Sequence, residues 1–383
     1  MGVEQIGAGA VHSTPIFLVG IGATSPPIPG ATDSMLVIGM QHGEETAARE
    51  AAIRFIRDLA YTTDPETVAY LATHPVFVIP TSNSNRIGSV VRNNFADVDL
   101  NRDHLTLSQS ETRAMADAMR RIKPTIVVDL HENNGTGVTV QLGHPTQAQA
   151  AAQVKTAAQT LRAGVESYIT SIGCTIGSYS ADTTPEILRQ TGSLRHCLTI
   201  LSETDRTGIT TQQRVEYMQG VLTGVRKHHG ANAAAIASAI SAGKAAKRAE
   251  GAAGTTAFAV SATKTLNPPP VAYWLTQAQR DTVAYHLTSF DIEATPDAGG
   301  YLVSMAQDAQ PAIPFLLDDN SDFNIVSAER RYPAVPEPEP GDLIAPTSAV
   351  SYGPVRVNGV DCEVTSVHLR TAGTFTPVWE KSA

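Results

Sequence analysis

An α/β fold is the architecture this sequence predicts: a mixed, mostly parallel central sheet covered by helices on both faces, with a small C-terminal β appendage. Three observations predict it. First, the runs MLVIGM (35–40), PVFVIP (75–80), TIVVDL (125–130) and LTILS (198–202) are apolar almost throughout. Strands without alternation have both faces buried, as in a sheet layered between helices. Second, those runs are separated by longer segments of helical period. Third, past Gly341 the pattern changes to short strands around Asn358-Gly359, a strong hairpin turn pair.

Taken in order, residues 1–32 are rich in Gly, Pro, Ala and Thr and are expected as an N-terminal arm or irregular edge. The main domain is expected over 33–330. Its first helix spans Glu44 to Tyr61, with Ala48, Ala51, Phe55 and Ile56 among its apolar positions. Ser108-x-x-Glu111 reads as a capping box opening a helix to about Ile122, which Pro124 ends. Gln147 to Thr170 is an Ala-rich helix. Gln212 to about Ala246 is mostly helical, with Gly230 as a break. Its basic end, Lys244, Lys247 and Arg248, reads as a solvated helix terminus. Residues 256–330 alternate shorter strands and helices. Residues 331–345, with proline at nearly every second position from Pro333, form an extended linker, and 346–383 form the β appendage.

The 383 residues carry a net charge of -9 and no long basic run, which argues against nucleic acid or an anionic membrane as partner. No apolar stretch approaches the roughly 20 residues of a membrane span. The first 20 residues lack a positive region followed by an apolar block, so a cytoplasmic protein is expected. Cys174, Cys197 and Cys362 are odd in number and widely spaced, which suggests buried free thiols and no Cys-based metal site.

The chemistry is concentrated at strand ends. His42-Gly43-Glu44-Glu45 leaves the first apolar run, and His131 ends the run 125–130. Two imidazoles and a carboxylate are what a catalytic zinc site needs, with a further position open. In open α/β sheets ligands gather outside the carboxyl ends of strands, where these residues and Glu203 are expected. That combination points to a metallohydrolase.

HGEE (42–45), VRNN (91–94), DLNR (99–102), DLH (129–131) and LSET (201–204) also occur in the order seen in zinc carboxypeptidases. The chain resembles that family over residues 33–230 and more loosely over 256–318. The resemblance implies one Zn2+ per chain, held by His42, Glu45 and His131. It implies that Arg92 binds the oxyanion and that Asn101 and Arg102 hold the substrate's terminal carboxylate. Planar guanidinium suits that bidentate role. Glu203 matches the general base that takes a proton from the attacking water. Asp99 matches a carboxylate that orients the first histidine. Tyr179 is an approximate match to a substrate-binding tyrosine.

Departures bear on specificity. Asn83-Ser84-Asn85-Arg86 replaces the family's usual Asn-Pro-Asp-Gly, and His131 is followed by Glu-Asn-Asn where digestive members carry Ser-Tyr. The His-Glu-Asn form leans toward the aspartoacylase and succinylglutamate desuccinylase relatives. The expected substrate is therefore a peptide or acylated amino acid with a free carboxylate. The alternative activity is N-acyl-amino-acid deacylation. A third reading makes the chain a phage tail or particle component carrying an accessory carboxypeptidase-like domain. It rests on a faint likeness of LRTAGTFTPVWE to the ends of tail-associated proteins, and implies docking to a virion through the β appendage. Glu132 competes as a base, His104 and His144 as cleft residues, and Arg86 and Arg195 as further carboxylate contacts.

Overall fold

In the computed structural model the described residues are 1–22, 33–179, 182–261 and 264–333, with the backbone of three later strands. The chain divides into two compact units, Met1–Pro333 and Ala334–Ala383. The first opens with strands β1 (Gly2–Ala8), β2 (Pro15–Ile21) and β3 (Met35–Gly39), then helices α1 (Thr46–Ala60) and α2 (Pro65–Thr73) and strand β4 (Val76–Ile79). After a long loop come α3 (Ser110–Ile122), β5 (Ile126–Asn133), β6 (Val140–Gly143), α4 (Ala152–Ser171) and β7 (Ile176–Ser178). They are followed by α5 (Leu188–Leu194), β8 (Leu198–Asp205) and α6 (Thr211–Ala253).

These eight strands form one sheet in the order β1-β2-β4-β3-β5-β8-β6-β7. The β4-β3-β5-β8 core is parallel, while β1, β2 and the β6–β8 contact are antiparallel. The first part of the expected N-terminal arm is thus two strands, β1 at the sheet edge and β2 between it and β4, while residues 23–32 lie outside the described residues. Ile16, Leu18 and Val19 of PIFLVGI are buried, and that apolar run outweighs the Gly and Pro around it.

Alternation along the strands sorts the core into two layers. Val37, Val128, Leu130 and Ile200 face the layer of α1, α4 and α6. Leu36, Ile38 and Val127 face the layer of α3 and α5. A further core is built on Phe258, Tyr273, Val303 and Phe315. It lies around β9 (Phe258–Ala259), β10 (Thr265–Leu266), β11 (Ala272–Leu275), α7 (Gln277–Ser289), β12 (Thr295–Asp297), β13 (Gly300–Ser304), α8 (Ile313–Leu317) and β14 (Glu329–Arg331).

Several local expectations are corrected. α4 begins at Ala152, because Gln147 is held outside it: its backbone N–H donates to Gln190 Oε1 at 2.9 Å. The capping box at 108–111 does not form. Asp103 accepts from the Ser108 and Gln109 N–H groups (2.9 and 2.8 Å), and Glu111 accepts from Ala10 N–H at 3.0 Å. α6 runs unbroken through Gly230, where a Cβ would stand 3.2 Å from the Tyr70 ring, so this glycine serves close packing. Among the described residues Cys174 and Cys197 are buried free thiols, as expected.

The second unit contains a three-stranded antiparallel sheet of β15 (Val355–Val357), β16 (Val360–Leu369) and β17 (Phe375–Glu380). The linker from Ala334 onward and the Asn358-Gly359 turn lie outside the described residues. Among the described residues no helix is long and apolar enough to cross a membrane.

Candidate metal centre and active site

The carboxyl ends of β3, β5 and β8 converge on one cluster. β3 delivers the turn carrying His42 and Glu45, and His131 lies within β5, which continues pairing with β8 as far as Asn133. His42 Nδ1 is 2.7 Å from Glu45 Oε1, His131 Nδ1 is 2.8 Å from Glu45 Oε2, and the two Nδ1 atoms are 3.1 Å apart. All three residues are at most 2% exposed.

The remote nitrogens are held from behind. His42 Nε2 lies 3.1 Å from Asp99 Oδ1, and His131 Nε2 lies 2.9 Å from Asp129 Oδ1. When each Nε2–H donates to its carboxylate, both Nδ1 lone pairs point at one another and at Glu45. Such a set is stable only around positive charge, and it fits a cation that accepts nitrogen and carboxylate donors, as zinc does. The titration preferences agree. Burial opposes charge on both histidines, yet Asp129 and Glu45 hold His131 well above the usual imidazole value, and Glu45 and Asp99 raise His42. Burial likewise pushes Glu45 up, but His131 and His42 overcome it and bring its carboxyl down to about 2.

The loop 81–109 brings Arg92 over this cluster. Arg92 O accepts from Gly43 N–H at 3.1 Å. A Cβ on Gly43 would stand 2.5 Å from Val91 O, so only glycine lets the loop approach this closely. Arg92 Nε donates to Asp99 Oδ2 at 3.0 Å, and Nη1 lies 3.1 Å from His42 Nδ1. One carboxylate, Asp99, therefore fixes both a cluster histidine and the guanidinium beside it.

Glu203 is the register partner of His131 across the β5–β8 ladder and so shares its face of the sheet. It is 8% exposed. Burial, reinforced by the charges of Glu45 and Asp129 and opposed by the two histidines, pushes its carboxyl up to about 7. Glu132, the competing base, points to the opposite face. Its Oε1 accepts from Ala47 N–H at the start of α1 (2.6 Å), and its Oε2 pairs with Arg214. The strand's alternation removes it from the cluster.

The remaining expected residues divide. Arg102 is exposed, with Nη1 donating to the Asn101 carbonyl at 2.8 Å; among the described residues no carboxylate forms an ion pair with it. Asn101 is buried: its Oδ1 accepts from Leu188 N–H at 2.8 Å, and its Nδ2 lies 3.1 Å from His131 Nε2, whose N–H is given to Asp129. Tyr179, just past β7, is partly buried, and burial, reinforced by the charge of Glu203 and opposed by Arg189, His131 and Arg102, pushes its hydroxyl up. Arg86 binds the Asn93 and Asn94 carbonyls, and Arg195 binds the Ser289 carbonyl over the Phe290 ring; both brace local structure. His104 sits behind the site with Nε2 2.7 Å from Gln41 Oε1. His144 is half-buried at the end of β6.

Three residues escaped the sequence reading. Asp129 was legible, since in D-x-H the acid and the imidazole share one strand face. Gln41, which donates to Asp129 Oδ1 at 2.7 Å, carried no signal. Neither did Arg189, whose buried guanidinium lies 5.1 Å from the Tyr179 ring and donates to the Asp182 carbonyl at 3.0 Å.

Residues 10–187 match the zinc carboxypeptidase family model. The matched segment contains His42, Glu45, Arg92, Asn101, Arg102, His131 and Tyr179, and ends before Glu203. Solved structures share the fold. The chain is similar to a metallo-carboxypeptidase from Pseudomonas aeruginosa in complex with (2-guanidinoethylmercapto)succinic acid (TM-score 0.51, 19% identity, 61% of this chain and 65% of that one). It is also similar to a metallo-carboxypeptidase from Burkholderia cenocepacia (0.50, 19%, 60% and 64%). A third is a putative carboxypeptidase A from Shewanella denitrificans OS-217 (0.50, 16%, 58% and 63%). The chain spans just under two thirds of the length of these relatives. No curated protein matches in sequence. The sequence likeness to zinc carboxypeptidases thus covers residues 10–187, and the solved structures share the fold.

Proposed function

We propose that the protein is a zinc-dependent metallocarboxypeptidase-type hydrolase, cutting an amide bond next to a free carboxylate. The observation that carries this reading is the convergence of the His42 and His131 Nδ1 atoms and Glu45, with Glu203 beside His131 on the next strand. His42, Glu45 and His131 would hold the metal. A zinc ion bound there supplies Lewis acidity and makes a water acidic enough to attack near neutral pH.

The chain's own groups do the rest. Glu203 takes a proton from the attacking water and delivers it to the leaving nitrogen, a role suited to a carboxyl raised toward neutrality. Arg92, held by Asp99, offers its guanidinium to the oxyanion; one such donor is typically worth about 3–4 kcal/mol. Arg102 receives the substrate carboxylate, and Asn101 holds the start of α5 in place for it through its bond from Leu188 N–H. Tyr179 would contact the bound substrate.

A peptide substrate is favoured over an acylated amino acid. The His-Glu-Asn form suggested the deacylase relatives, but Glu132 serves α1 and Arg214 on the other face and adds no second acid to the cleft. A role for the C-terminal unit in docking to a virion or other large assembly rests on its sequence alone.

The test compares peptides with free and amidated C-termini and a panel of N-acyl amino acids, using zinc-loaded protein. Free peptides should be cleaved fastest. Arg102→Ala should erase the preference for carboxylate over amide, a loss of about 2–5 kcal/mol for truncating a charged pair. Equal cleavage of free and amidated peptides by the wild type would overturn exopeptidase chemistry, and exclusive cleavage of N-acyl amino acids would install the deacylase reading.

A further inference from the structure

A second cluster of ligand-type side chains lies at the opposite, N-terminal edge of the sheet. Asp33 precedes β3, His74 joins α2 to β4, and His229 lies on α6. Asp33 Oδ1 is 2.7 Å from His229 Nε2, and Asp33 Oδ2 is 3.0 Å from His74 Nε2. The residues come from three separate elements, yet all three ligand atoms lie within 4.8 Å of one another. We propose that Asp33, His74 and His229 form a second divalent-cation site, separate from the catalytic centre and selective for zinc-like ions.

The surroundings of the two imidazoles support this. A single residue, Tyr70, backs both of them. Its hydroxyl is 2.9 Å from His229 Nδ1, and its carbonyl is 3.3 Å from His74 Nδ1. The Tyr70 ring stacks on His74 at 4.9 Å and 9°, and meets His229 edge-on at 5.7 Å. When each Nδ1–H donates to Tyr70, both Nε2 lone pairs are bare and face the two oxygens of one carboxylate. Histidine ligands are oriented in this way by a partner on the far nitrogen. Two imidazoles and one carboxylate suit zinc and its neighbours, whereas calcium and magnesium prefer all-oxygen sites.

The position is rigid but reachable. His229 is fully buried, His74 has 13% of its side chain exposed and Asp33 28%. An ion would enter from the Asp33 side. Asp33 holds a left-handed backbone (φ 71), uncommon for a residue with a Cβ, and this turns its carboxylate toward both rings. An ion there would tie α6, which packs on α1 and α4, to the starts of β3 and β4. The competing arrangement needs no ion: Thr73 Oγ1, 2.6 Å from His74 Nδ1, and the Tyr70 hydroxyl would donate to the rings, which would then donate both Nε2–H groups to Asp33.

Zinc stoichiometry and thermal stability separate the two arrangements without using activity. The full chain carrying His42→Ala and His131→Ala is stripped with chelator and dialysed against micromolar zinc. It should retain about one zinc per chain and gain several degrees in Tm. Adding Asp33→Asn, which keeps the side chain's shape, or His74→Ala should weaken that binding at least tenfold and abolish the Tm gain. Circular dichroism confirms that each variant remains folded. The proposal is overturned if the His42→Ala, His131→Ala protein binds no zinc, or if its zinc survives both Asp33→Asn and His74→Ala. Because the catalytic ligands are absent throughout, either result leaves the hydrolase reading untouched.

Discussion

The two ends of the central sheet carry nearly the same inventory, two histidines and one acid, put to different use. At the carboxyl end the imidazoles of His42 and His131 are backed by the charged acids Asp99 and Asp129. At the amino end His74 and His229 are backed by the neutral hydroxyl and carbonyl of one tyrosine. Carboxylate backing raises the basicity of an imidazole and so its hold on a metal. The first cluster also has Glu203 and Arg92 within reach, while the second has an aromatic ring against each imidazole. Ligands alone therefore do not make a catalytic site. A base and an oxyanion donor must share the same edge, and the parallel strands supply them only at their carboxyl ends.

The largest effect expected is on turnover at the first cluster. Glu203→Gln should preserve fold and bound zinc while lowering kcat by roughly 10²–10⁴-fold, the range of general acid–base catalysis. Near-wild-type turnover, measured beside zinc content, would transfer the base role elsewhere and remove the main contrast between the clusters.

The backing groups give the next contrast. Asp129→Asn should weaken zinc at the carboxyl-end cluster by roughly 10–100-fold, as loss of such a partner does. Tyr70→Phe should leave that affinity unchanged. Zinc titrations of both variants with a competing chelator read the difference directly, and equal affinities would show that the charge behind His131 is immaterial.

Glu132→Gln tests the alternation of β5. This side chain holds Arg214 and the first turn of α1, so the variant should lose about 1.5–3 kcal/mol of stability, as for a hydrogen bond to a charged group. Its turnover per folded molecule should stay within a few-fold of wild type. A collapse in kcat without a loss of stability would put Glu132 on the catalytic face.

The smallest effect concerns acid stability at the amino end. Burial raises the Asp33 carboxyl, but its bond to His229 and the charges of His229 and His74 outweigh this and lower it below the usual value. A lowered folded value means stability that is present above the unfolded pKa of about 3.9 and lost as pH falls through the folded one. Metal-free wild type should thus lose more stability below pH about 4 than Asp33→Asn does. Acid melts of the two proteins that fall off alike with pH would show that this coupling is too weak to matter.

Much of the carboxyl-end site was legible because strand periodicity fixes it. H-x-x-E after one apolar run, D-x-H at the end of another and a glutamate closing a third needed only a parallel sheet to meet. Within that sheet, the His131–Glu203 register makes the two residues neighbours on one face. The local errors share a cause: tertiary partners overruled short-range signals. Asp103 took the capping role from Ser108 and Glu111, Tyr70 packed against Gly230 where a break was expected, and the buried PIFLVGI turned an expected arm into a sheet edge.

What the sequence determined by itself was the layered α/β core and the residues at its strand ends, because burial on both faces and a period of two are written in neighbouring positions. What only the tertiary structure decided were contacts between residues distant in the chain. Asp33, His74 and His229 carry no motif, and they meet only because α6 crosses the start of β3 and β4. Arg189 lies on α5 and comes to rest against Tyr179 because β6, with Gly143 at its end, leaves room for a guanidinium. Side-chain direction along one element follows from local geometry; proximity between elements follows from how the whole chain packs.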